Sequence, residues 1–179
     1  MTRKVVLACM VLAVVGFFGW RYEQTRGLEH RLGRIASALA GRPVKVHCQG
    51  NTGAIFDVSG ELGSVQFDAA GHPAATTDLK QDVCRWLSHL PGGGVADAAT
   101  AVEVLTHESE HLAGYRDESV AQCRALQLMG WTAQQLGATP QQARVWTAYS
   151  VARTPSLAPE YYDPSCPAFR GRTTIPPAQ

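Results

Sequence analysis

Leu105-Thr106-His107-Glu108-Ser109-Glu110-His111-Leu112-Ala113-Gly114 lies a little past the middle of a 179-residue chain. It places two histidines four residues apart, with a glutamate directly after the first. On a helix, residues at that spacing share a face with about 5–6 Å between their Cβ atoms, so both imidazoles can point at one cation. Glu108 sits one step round the helix, where it can reach a water on that cation and act as general base. The flanks support a helix. Ala98, Ala101, Val102, Leu105 and Leu112 make an apolar stripe, Asp97 offers an N-cap, and Gly114 stands where a helix stops. His107, His111 and Val104 fall on an adjoining face that can look into a cleft while the stripe packs.

A catalytic metal site of this kind needs a third protein ligand, and the next acids are Asp117 and Glu118. If the chain reverses at Gly114, a following helix can present a carboxylate from its first turn. Glu118 shares a face with Ala121, Gln122, Ala125 and Met129, whose small members allow close approach. Asp117 then serves as N-cap. Asp117 is also the alternative ligand, in the pattern His-Glu-x-x-His-x-x-Gly-x-x-Asp; Glu118 is preferred because a strong helix follows rather than a turn. Glu103, one turn before His107, is either a solvated charge or an acceptor for the His107 ring N–H. Tyr115, Tyr149, Tyr161, Tyr162 and His89 are candidate donors to a reaction oxyanion, and none is singled out.

His107-Glu108-x-x-His111 followed by Asp117-Glu118-Ser119-Val120-Ala121 resembles the gluzincin type of zincin metallopeptidase. With Cys123, Ala125 and Gln127 it is similar to small membrane-anchored zincin-like proteins of high-GC bacteria. The resemblance covers Val102 to about Gln127, and the tail loosely. It implies zinc (Zn2+) held by His107, His111 and Glu118, with Glu108 catalytic. It also implies a peptide or protein substrate, held by strand addition along an edge strand among residues 54–68.

The N-terminus reads as a signal anchor. Arg3 and Lys4 precede an apolar run from Val5 to Trp20, closed by Arg21 and Tyr22. A helix of that length reaches about 24–27 Å, enough to cross a bilayer with interfacial Trp20 and Tyr22 and a snorkelling Arg21. The basic N-terminus then stays cytoplasmic and the following domain faces outward. Cys48, Cys84, Cys123 and Cys166 fit such a disulfide-permissive setting. Four cysteines allow three pairings; pairing Cys48 with Cys84 and Cys123 with Cys166 keeps each bridge within one half of the domain, and four free thiols remain the alternative.

Between these landmarks, Gly27 to Ala40 has the spacing of a short amphipathic helix. Val44–Cys48, Ala54–Val58 and Ser64–Asp68 alternate like strands of an antiparallel sheet. Helices are expected from an Asp78 cap to Leu90, from Asp117 to about Leu136, and from a Thr139 cap with Pro140 to about Arg153. Gly92-Gly93-Gly94 reads as a linker. With 45% hydrophobic residues, a net charge of +1 and sixteen basic residues scattered among fifteen acids, the chain has no footprint for nucleic acid. The expected fold is α+β: a membrane helix over 1–22, a juxtamembrane stalk over 23–43, a domain over 44–170 with a small antiparallel sheet and a zincin-like bundle of about four helices, and a disordered tail over 171–179.

Overall fold

The computed structural model describes residues 2–50, 61–157 and 159–171, without the side chains of residues 2–9, 11, 18 and 21. Its elements run α1 (Thr2–Ala40), β1 (Lys45–Cys48), β2 (Gly63–Phe67), β3 (Pro73–Leu79), α2 (Gln81–Ser88), α3 (Val95–Leu112), α4 (Glu118–Gln135) and α5 (Pro140–Arg153). Short 3-10 turns follow at Thr154–Ser156, Pro159–Tyr161 and Pro167–Arg170. The class is α+β, as the sequence patterning suggests.

The motif helix α3 is the hub. From Ala98 to Leu112 every residue except Val104 is buried, because α1, α2, α4, α5, β2 and β3 all pack on it. A one-sided stripe was expected; burial all round is found instead. The small residues Ala98, Ala99 and Ala101 let the neighbours in, and Leu105 and Leu112 fill the space between them. The helix starts earlier than an Asp97 cap would require: Gly94 is the N-cap, and Asp97 lies in the first turn, where its charge still suits the helix dipole.

After α3 the chain turns at Gly114, whose φ of 102° is open to glycine at little steric cost. Asp117 caps α4 by accepting the Val120 N–H at 3.0 Å. Thr139 caps α5 in a reciprocal box with Gln142, with Pro140 in the first turn. These two helices match their expected bounds within two residues. The C-terminal half of α1 contributes Leu32, Ile35, Ala36 and Leu39 to the core, so Gly27–Ala40 is part of one continuous helix rather than a separate one. Arg42 then binds α3 to the sheet, donating from Nε to the Leu112 carbonyl at 2.9 Å and from its terminal nitrogen to the Ala74 carbonyl at 2.6 Å.

The sheet differs from expectation in strand content and in direction. Its order is β1-β3-β2, with β1 parallel to β3 and β2 antiparallel to β3, so it is mixed rather than antiparallel. The expected strand at 54–58 lies outside the described residues. The central strand is Pro73–Leu79, so Asp78, expected as a helix cap, pairs in the sheet, and Lys80 takes the N-cap place of α2. Cys48, at the end of β1, is bonded to Cys84 in α2, and Cys123 in α4 to Cys166.

Among the described residues no helix is long and apolar enough to cross a membrane, so a membrane span is not seen there. Side chains belonging to the expected anchor at residues 2–9, 11, 18 and 21 fall outside that set. Those described include exposed Met10, Leu12, Val14, Val15, Phe17 and Trp20.

Candidate metal centre

The helical spacing brings the two histidines together as expected. The rings of His107 and His111 lie 4.6 Å apart at 85°, and their Nε2 atoms are 2.9 Å apart. Glu118, the first residue of α4, brings Oε2 to 3.0 Å from His107 Nε2 and 3.3 Å from His111 Nε2. It can do so because Ala121 and Ala125, fully buried on the same face, let α4 lie close against α3. Asp117, the alternative ligand, faces elsewhere: its carboxylate accepts the Val120 N–H and the Ser119 hydroxyl, and these two bonds hold its pKa below the usual carboxylate range. Of the two acids, Glu118 joins the histidines.

The hydrogen bonds behind the rings decide which nitrogen carries a proton. Glu103 Oε2 accepts from Arg153 at 2.8 Å, and Glu103 Oε1 accepts from the Gln122 amide nitrogen at 2.7 Å. That orients Gln122, so its Oε1 faces His107 Nδ1 at 3.0 Å and Nδ1–H must be the donor. His107 Nε2 is left with its lone pair towards the centre. His111 reaches the same state by a shorter route, donating Nδ1–H to the Tyr115 carbonyl at 2.7 Å. Two nitrogen lone pairs and a carboxylate oxygen therefore converge at hydrogen-bond separations, an arrangement that requires a cation or a shared proton between them. His107, His111 and Glu118 could hold a metal ion.

In the metal-free chain the electrostatics agree. When protonated at Nε2 as well, His107 and then His111 donate to Glu118, and these bonds hold its pKa down to about 2 against the effect of its partial burial. Burial pulls the His111 pKa down, but the bond to Glu118, the charges of Glu108 and Glu118, and the Tyr115 carbonyl outweigh it, and the net shift is upward.

Glu108 stands beside the centre without joining it. Its side chain is buried, Oε2 has no hydrogen-bond partner among the described residues, and burial pushes its pKa up to about 7 although both histidines pull it down. Gly63 in β2 makes room for it: a Cβ at that position would lie 2.7 Å from Glu108 Cγ. These residues open on a cleft of about 220 Å3 whose other walls are Glu61, Ser64–Phe67, Arg116 and Tyr161. The Tyr161 ring centroid is 5.6 Å from that of His107, and burial pushes its pKa up to about 12, so it is an O–H donor at neutral pH. A larger cavity of about 440 Å3 opens between α4, α5 and the Pro167–Arg170 turn, but among the described residues no acid, histidine or cysteine lines it.

Gln122, expected on the Glu118 face of α4, was not expected as the partner of His107, and Glu103 reaches His107 through it. Glu110, within the motif, is fully buried and accepts from Arg124 Nε at 2.5 Å, while the Arg124 guanidinium stacks on the Tyr115 ring at 4.1 Å. That stack braces the residue whose carbonyl orients His111. One signal was available in the sequence: Glu103 and Glu110 interrupt a helix otherwise rich in apolar residues, and each has a basic partner elsewhere. Comparison of the chain with known protein families, curated proteins and solved structures finds no match.

Proposed function

We propose that the chain is a zinc-dependent peptidase, with His107, His111 and Glu118 as metal ligands and Glu108 as general base. The observation that carries this reading is the buried Glu108 carboxylate, whose Oε2 has no hydrogen-bond partner among the described residues, beside three converging metal-binding atoms. A purely structural metal site needs the ligands but has no use for such a base. When bound, zinc supplies Lewis acidity, lowering the pKa of a coordinated water and polarising a carbonyl. Glu108, with a pKa of about 7 in the free chain, is suited to take a proton from the attacking water and return it to the leaving amine nitrogen. Tyr161, on the wall of the cleft, supplies a neutral O–H donor for negative charge developing there. β2 is an edge strand among the described residues and lines the cleft, so an extended peptide can add to it beside Glu108.

The exposed apolar side chains from Met10 to Trp20 support attachment to a membrane through α1. The two disulfides fit a domain outside the cytoplasm. The test is digestion of a broad peptide library by the zinc-loaded chain beside Glu108→Gln. Cleavage that falls by about 10²- to 10⁴-fold in a variant with its full zinc content supports the reading. Cleavage undiminished in that variant contradicts it, and no cleavage by the loaded parent favours a metal-stabilised scaffold.

A further inference from the structure

We propose that Arg116 forms a carboxylate-binding subsite beside the metal centre, so that the preferred substrate carries a carboxylate within about three residues of the bond cleaved. This rests on the peptidase reading and adds a substrate class to it. Arg116 lines the same cleft as His107, His111 and Glu118. Among the described residues on its walls, the other formally charged groups, Glu61, Glu108 and Glu118, are acids. Apart from the metal itself, Arg116 is thus the one described wall group whose formal charge attracts an anion, so a carboxylate of the substrate away from the metal is drawn to it.

The guanidinium is held where a ligand can use it. It lies over the Phe67 ring at 5.4 Å, and that ring packs edge-on against His111 at 6.1 Å between centroids, so Arg116 stays within about 12 Å of the His111 ring. Its backbone is pinned from both sides, since the Tyr115 carbonyl accepts from His111 and Asp117 caps α4. Among the described residues it makes no ion pair. A stacked, exposed guanidinium with its N–H fork free is the donor arrangement that binds a carboxylate through two bonds. An acidic side chain and a chain terminus offer the same chemistry.

Three hydroxamate probes distinguish these sources: a Leu-Gln amide, a Leu-Glu amide and a Leu-Gln with a free terminus, each gripping the metal through the hydroxamate. Their affinities for the zinc-loaded full chain, Arg116→Gln and Arg116→Lys are measured by calorimetry. One charged probe should bind about ten-fold more tightly than the neutral amide. That preference should vanish in Arg116→Gln and partly return in Arg116→Lys. Equal binding of all three probes, or a preference that survives Arg116→Gln, overturns the subsite while leaving the peptidase reading standing. If no probe binds, the metal-dependent reading fails and the subsite falls with it.

Discussion

Replacing Gln122 with leucine should weaken zinc binding without unfolding the protein. Gln122 is 2% exposed and is the acceptor for His107 Nδ1–H, while its own amide donates to Glu103. Without it, the neutral ring is better placed with its proton on Nε2, where Glu118 Oε2 waits at 3.0 Å. Metal binding must then return that proton to a buried Nδ1 with no acceptor, a cost of about 1–3 kcal/mol. The affinity should drop about 10- to 100-fold. Glu103 keeps its bond to Arg153, so no unpaired charge is created to confuse the result. The double exchange Gln122→Glu with Glu103→Gln preserves both hydrogen bonds with donor and acceptor roles reversed between positions 103 and 122, and should recover most of the loss. Gln122→Glu alone sets two carboxylates against each other and should not. Competition against a chromophoric chelator, with thermal unfolding of the metal-free proteins as control, gives the numbers. Unchanged affinity in Gln122→Leu, or a double variant worse than either single one, would refute the relay.

Gly63→Ala should impair peptide cleavage severely while sparing zinc content, since its Cβ would collide with Glu108 and not with a ligand; metal analysis beside a cleavage assay checks this. Arg124→Leu strands the buried Glu110 carboxylate and should cost about 3–5 kcal/mol in urea unfolding. Removing the Cys123–Cys166 bridge, which spans 43 residues, should cost about 2–4 kcal/mol and loosen the segment carrying Tyr161, seen as faster proteolysis after Leu157.

The parts of the molecule legible in the sequence are those governed by local chemistry. Asp117 and the Thr139-Pro140 pair mark helix starts because a cap acts within four residues, and His107, His111 and Glu118 converge because one helical spacing and one short reversal suffice. Asp97 misleads for the same reason: α3 is held by packing on all sides and starts without a side-chain cap. The sheet is less readable because Pro73-Ala74-Ala75-Thr76-Thr77 lacks the large alternating residues of a central strand; its burial is completed by β1 and β2 on either side and by α3. Glu103 and Glu110 look like surface charges until α4 and α5 supply Gln122, Arg124 and Arg153, which are 14 to 50 residues away.

The metal content of the purified full chain, measured by mass spectrometry for the parent and for Glu118→Ala, tests the centre most directly. The account predicts one zinc per parent chain and loss of that zinc when Glu118 is removed. A metal-free parent, or zinc retained in Glu118→Ala at undiminished affinity, would contradict it.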